Sequence, residues 1–223
     1  MSVNIAIDGP AGAGKSTIAR KLAAELGFVY VDTGAMYRAL AYHFLSCGIA
    51  PENGEAVAAA CKGADVTIAY ADGEQQVFLN GENVSGKIRT EEVGNMTSAV
   101  SVYPAVRAKL VEIQREIAAK SDVIMDGRDI GTCVLPGAQV KIYLTAGTAT
   151  RAKRRYDELT AKGQACDLAK IERDIEDRDY RDMHREVSPL RQADDAVMID
   201  SSQMGIDEVV AAIREVYEGV CGR

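Results

Sequence analysis

Apolar runs alternate with amphipathic stretches along most of the chain. Ser2 to Asp8 is apolar enough for a buried strand and breaks into a glycine-rich turn. Ile18, Leu22 and Leu26 then recur at helical spacing up to Gly27, a residue type that ends helices. Phe28 to Asp32 reads as a second strand, followed by a helix through Met36, Tyr37, Leu40, Phe44 and Leu45 to Gly48. A short helix is expected from Glu52 to Cys61, behind Pro51. The texture then changes: Val66 to Tyr70 and Gln76 to Leu79 are β-rich, separated by Ala71-Asp72-Gly73-Glu74, and Asn80-Gly81 marks a tight hairpin. Helices resume near Thr90, and Val106, Leu110, Ile113 and Ile117 line one face behind Pro104. Asp122 to Asp126, Val140 to Thr145 and Ala196 to Asp200 read as three more core strands. Between the last two, Thr148 to about Arg191 is polar and helical, and an amphipathic helix through Ile206, Val209, Val210, Ile213 and Tyr217 closes the chain.

Strand and helix in this rhythm predict an α/β fold, a five-stranded parallel sheet with helices on both faces. The 223 residues are expected to form one domain, 1–223. The β-rich run, about Val66 to Val84, departs from that rhythm and reads as a small antiparallel insertion.

The turn after the first strand carries chemistry. Gly9, Gly14, Lys15 and Ser16 match G-x-x-x-x-G-K-[ST], with Pro10, Ala11, Gly12 and Ala13 between and Thr17 following. Glycines let backbone N–H groups turn inward around phosphate oxygens, and the following helix presents its positive dipole end to the same anion. Lys15 can reach the terminal phosphates, and the Ser16 hydroxyl can sit on Mg²⁺. The bland alternative, a loop that merely turns a strand into a helix, loses to the presence of both required flanks. Asp126 ends an apolar strand, where a carboxylate can act on Mg²⁺ directly or through water.

Composition narrows the setting. A hydrophobic share of 47% with 26% charged residues is ordinary for a globular chain, and a net charge of −7 argues against nucleic acid and anionic membranes as partners. No stretch approaches the ~20 apolar residues of a membrane span, and Met1 to Asn4 lack a signal peptide's basic start, so a cytoplasmic setting is expected. Five cysteines without a C-x-x-C pair, and only His43 and His184, make a poor disulfide framework and a poor zinc site.

Arginine is unevenly spread. Arg151, Arg154 and Arg155 share one helical stretch, and Arg178, Arg181 and Arg185 another; three-and-four spacing lets Arg151 face with Arg154, Arg178 with Arg181, and Arg181 with Arg185. Interleaved acids such as Glu172 and Asp177 allow a solvated, salt-bridged helix instead. Beside a phosphate loop, guanidinium forks for phosphate are the stronger reading. No general base stands beside a nucleophile, which suits an acceptor that is itself an ionised phosphate.

Several motifs occur in one order over nearly the whole chain: Ile7-Asp8-Gly9-Pro10 into the loop, Asp32-Thr33-Gly34-Ala35-Met36-Tyr37-Arg38, Gly86-Lys87-Ile88-Arg89-Thr90, Asp126-Gly127-Arg128-Asp129-Ile130-Gly131-Thr132, and Arg178-Asp179-Tyr180-Arg181-Asp182 through Arg185 to Pro189-Leu190. In these the chain resembles the bacterial cytidylate kinases, among the nucleoside monophosphate kinases. The resemblance implies phosphoryl transfer from ATP, with Mg²⁺, to CMP or dCMP, by a monomer acting on small molecules. It implies that Thr33, Arg38, Arg128 and Arg185 surround the acceptor phosphate, and that Ser98 (or its neighbour Thr97), Arg107 and Asp129 read the base. Arg178 and Asp182 are implied at the sugar, and Arg151, Arg154 and Arg155 in a lid over ATP. By the same token 33–107 is a monophosphate-binding region with the insertion at about 64–86, and 148–191 holds the lid and arginine-rich helices. Catalysis then falls to Lys15, Arg128, Arg154 and Arg185. The competing readings are a phosphate-loop kinase with another acceptor, a GTP-hydrolysing switch, for which no Asn-Lys-x-Asp guanine motif is present, and a nucleotide-binding module without catalysis.

Overall fold

A computed structural model describes residues 2–71 and 73–222; Met1, Arg223 and Asp72, the last within the expected 71–74 turn, lie outside the described residues. Strands β1 (Asn4–Asp8), β2 (Val29–Asp32), β3 (Val66–Ala71), β4 (Glu74–Leu79), β5 (Glu82–Asn83), β6 (Val123–Gly127), β7 (Val140–Thr145) and β8 (Val197–Asp200) form two sheets. The larger has five strands in the order β2-β6-β1-β7-β8, parallel throughout. The smaller, β3-β4-β5, is the antiparallel insertion. Its Asn80 and Gly81 have φ of 51° and 81°, the double positive φ that a two-residue hairpin turn demands and that Asn-Gly tolerates.

Among the described residues eight α-helices join these strands: α1 (Lys15–Leu26), α2 (Thr33–Ser46), α3 (Gly54–Gly63), α4 (Glu91–Val100), α5 (Pro104–Lys120), α6 (Thr148–Ala161), α7 (Leu168–His184) and α8 (Ile206–Cys221). The period of two along each strand sorts the core onto two faces. Ala6, Val31, Val123 and Met125 pack with Met36, Leu40 and Phe44 of α2 and Leu110 of α5. Ile5, Ile7, Ile124, Ile142 and Leu144 point the other way, onto Ile18 and Leu22 of α1 and Val209, Val210 and Ile213 of α8. Both faces are therefore covered, as the strand–helix rhythm predicts. No helix among the described residues is long and apolar enough to cross a membrane.

Two expectations need correction. The short helix runs Gly54–Gly63, two residues later than read, because the Asn53 side chain caps it by accepting from the Ala56 N–H. The polar stretch is not helical to Arg191: α7 stops at His184, and Arg185 is extended, with φ −64° and ψ 142°. Arg185 therefore leaves the helical face on which the spacing put it beside Arg181.

Candidate active site

In an open parallel sheet ligands gather at the carboxyl ends of the strands. Asp8, Asp32 and Asp126 stand there, all buried. After β1 the chain turns through Gly9 to Gly14 into α1. Gly9 passes so close to β7 that an added Cβ would lie 1.9 Å from the Leu144 carbonyl oxygen, so only glycine fits. Lys15, buried at the helix start, donates from Nζ to the carbonyls of Gly9 and Pro10, each at 2.7 Å. Burial, and next the Arg128 charge, push its ammonium down to about 7, against the pull of Asp126, Asp8 and Asp182.

Asp126 is bracketed. Ser16 Oγ donates to its Oδ2 at 2.8 Å and the Tyr30 hydroxyl to its Oδ1 at 3.1 Å. Burial and the Asp32 charge raise its carboxyl to about 6, with Lys15 opposing. Thr33 Oγ1 donates to the Asp126 carbonyl at 2.7 Å, tying the start of α2 to β6. Asp8 reaches sideways, its two carboxylate oxygens accepting from the N–H groups of Ile130 and Gly131 at 2.8 and 2.7 Å. Those amides open a π-helical turn, Ile130–Val134, directly after Arg128 and Asp129. Asp8 thus holds the base of the loop that presents these two residues.

A cleft of about 680 Å³ runs over the strand ends. It brings together the loop from Ala11 to Thr17 with Thr33, Arg38, Thr97, Ser98, Arg107, Asp126, Arg128, Asp129, Arg151, Arg154, Arg178, Asp182 and Arg185. Gly9 and Pro10, both buried, are outside this lining, and so is Arg181, which is exposed and bonded to its own helix at the Asp177 carbonyl. Neither histidine lines the cleft. Nine basic side chains meet five acidic ones on its walls, a formal excess of four positive charges in a chain of formal net charge −7. That concentration favours a multiply charged anion.

The cations are held differently. Arg107 and Asp129 form a buried ion pair, and Arg185 approaches the other Asp129 oxygen at 3.5 Å. Arg128 Nε donates to Asp182 Oδ2 at 2.8 Å; burial alone would raise the Asp182 carboxyl, but Arg128 holds it below its usual range. Arg178 is lowered to about 10 by burial and by Arg128. The Nε groups of Arg178 and Arg38 and the Ser98 hydroxyl are buried without a partner, whereas the Thr97 hydroxyl is spent on the Val93 carbonyl at 2.6 Å. Arg151 is also committed. It donates to the carbonyls of Ala146 (2.8 Å) and Ala11 (2.9 Å) and pairs with Asp179 at 2.6 Å. Arg154 binds the Ser201 carbonyl at 2.6 Å.

The sequence profile of the cytidylate kinase family matches residues 5–219. The chain belongs to the cytidylate kinase family. Among the curated relatives, the cytidylate kinase of Lactobacillus johnsonii is 50% identical over 216 residues, covering 97% of this chain and 94% of its own length. Two solved structures share the fold. One is an uncharacterized protein from Eubacterium ventriosum, with a TM-score of 0.53 and 12% identity, covering 96% of this chain and 97% of its own. The other is a gluconokinase from Sinorhizobium meliloti, with a TM-score of 0.50 and 13% identity, covering 99% and 94%.

Within this cytidylate kinase family member, sequence reasoning assigned no role to Asp8, Tyr30, Ser101 or Asp179. Ser101 also lines the cleft, donating to the Ser98 carbonyl at 3.0 Å. One clue was available: Asp8 closes an apolar run, and a polar end to a buried strand usually has a fixed partner. Tyr30 meets Asp126, 96 residues away, and Asp179 meets both Arg151 on another helix and the Ala11 N–H, 168 residues away, all beyond any local pattern.

Proposed function

We propose that this chain transfers a phosphoryl group from ATP to CMP and dCMP, giving ADP with CDP or dCDP, in line between two phosphates. The observation that carries the reading is one cleft lined by both a phosphate loop and the buried Arg107–Asp129 pair. Cytosine offers acceptors at O2 and N3 and a donor at its 4-amino group, the complement of a guanidinium beside a carboxylate. Uracil presents a carbonyl where the amino group stands, and a carboxylate aimed there repels it.

The loop amides, Lys15, Arg151 and Arg154 are assigned to the donor, and Thr33, Arg38, Arg128 and Arg185 to the acceptor phosphate. Ser98, with its uncommitted buried hydroxyl, joins Arg107 and Asp129 at the base, and Arg178 and Asp182 take the sugar. Region 33–107 then binds the monophosphate and 148–191 supplies the lid, within one cytoplasmic, monomeric domain. The acceptor oxygen is already ionised at neutral pH, so positioning and charge neutralisation carry the rate and no general base is required.

Mg²⁺ fits the residues present. The Ser16 hydroxyl and Asp126 carboxylate, 2.8 Å apart at the loop, are the hard oxygen donors this ion prefers, and they would hold it together with nucleotide phosphate. When bound, the ion neutralises charge on the phosphate oxygens. Isothermal titration with CMP alone tests the reading. Saturable binding is expected; a protein that binds ATP and gives no heat with CMP contradicts it.

A further inference from the structure

Strand β2 is an edge strand of the parallel sheet, paired with β6 on one side only. An edge leaves backbone donors and acceptors without a ladder. Here two side chains of the insertion take the place of the missing strand. Gln75 Oε1 accepts from the Asp32 N–H at 2.8 Å, and its Nε2 donates to the Asp32 carbonyl at 3.2 Å. The Tyr70 hydroxyl donates to the Tyr30 carbonyl at 2.8 Å. Tyr70 and Gln75 face each other across the β3–β4 ladder, so one cross-strand pair grips alternate residues of β2. The packing beside this grip is thin: a cavity of about 240 Å³ lies there, lined by Arg20, Tyr30, Asp32, Gln75 and Arg89 among others. Apolar burial of Val66, Val77, Leu79 and Ile88 in the core with α2 seats the insertion as a whole, while at the β2 edge itself the contacts are polar.

What the grip holds is Asp32. Its Oδ1 caps α2 at the Ala35 N–H (2.8 Å), and its Oδ2 accepts from Arg38 at 3.0 Å. That is the hydrogen bond fixing the Arg38 guanidinium among the described residues, since Arg38 Nε is buried and unpartnered. Thr33 follows directly, at the first position of α2. We propose that the Tyr70–Gln75 pair is a positioning device for the acceptor site: by completing the free edge of β2 it fixes Asp32, and through Asp32 the Arg38 guanidinium that receives the acceptor phosphate. The inference rests on the assignment of Arg38 to that phosphate. The phosphate loop follows β1, two strands in from this edge, and is not gripped.

The test is steady-state kinetics on the full chain, with thermal unfolding alongside. Gln75→Leu removes both hydrogen bonds to Asp32, and is expected to raise KM for CMP about tenfold, the scale of one to two such bonds. KM for ATP and kcat stay within about twofold, as the phosphate loop keeps its own contacts. Adding Tyr70→Phe raises KM for CMP further. In an Arg38→Met background, whose own KM for CMP is raised, Gln75→Leu should have no further effect, because the cycle closes when one residue acts through the other. The proposal is overturned if Gln75→Leu leaves both KM values unchanged or raises them equally, or if its effect persists in full on Arg38→Met. If Arg38→Met alone leaves KM for CMP unchanged, the Arg38 assignment fails, and the device fails with it. Should Gln75→Leu not fold, Gln75→Glu, which keeps the acceptor for the Asp32 N–H and loses the donor, is read the same way with a rise of about threefold.

Discussion

At the scale of single residues, two buried groups, Lys15 and Asp129, govern how the cleft treats phosphate and base. A lysine ammonium ordinarily titrates near 10.5; burial and, next, the Arg128 charge push that of Lys15 down to about 7. Phosphate oxygens arriving beside it favour the ammonium. Metal-free ATP binding near pH 8 should therefore take up protons, read by calorimetry in buffers of different ionisation enthalpy. Lys15→Met should abolish the uptake, and net proton release by the native chain would contradict the assignment of Lys15 to phosphate. The linked stability has a definite sign. Between about 7 and 10.5 the unfolded chain holds more protons at this position than the folded one, so Lys15 penalises folding less as pH rises through that window. Asp129 is the second group. Asp129→Asn keeps a side-chain carbonyl but loses the carboxylate that repels uracil. The ratio of kcat/KM for CMP over UMP should fall about tenfold to a hundredfold, with ATP binding nearly unchanged. An unchanged ratio removes Asp129 from base reading.

At the scale of elements, the site depends on ties between segments far apart in the chain. Arg151 of α6 joins the Ala11 carbonyl of the phosphate loop to Asp179 of α7, with both side chains buried. Removing one member of a buried pair leaves the other uncompensated. Arg151→Ala should lower stability by about 3 kcal/mol in urea unfolding and weaken ATP binding. A variant as stable as the parent would mean that the pair contributes little. Such ties also mark the limit of what the sequence discloses. The phosphate loop was legible because it is local: glycine, lysine and serine at fixed spacing between a strand and a helix. The hairpin at Asn80-Gly81 was legible for the same reason. Arg181 and Arg185 were grouped wrongly because helical spacing carries no information about where α7 ends. It ends at His184, and the extended backbone at Arg185 turns that side chain inward while Arg181 remains in solvent. The roles of Asp8, Tyr30 and Gln75 rest on partners 122, 96 and 43 residues away, which no periodicity reveals.

At the scale of the whole molecule, the parallel sheet and its two-sided core follow from strand-length apolar runs separated by amphipathic helices, and the antiparallel insertion from its change of period. Charge is distributed against the average: an acidic chain carries its excess cations in one cleft. A donor phosphate and an acceptor phosphate together need that excess, and a reading with one nucleotide alone leaves the far arginines unexplained. The most direct test is a steady-state panel of CMP, dCMP, UMP, AMP and GMP with ATP and Mg²⁺ on the purified chain. CMP and dCMP should give the highest kcat/KM, with UMP well below. A best substrate outside that pair would contradict the account.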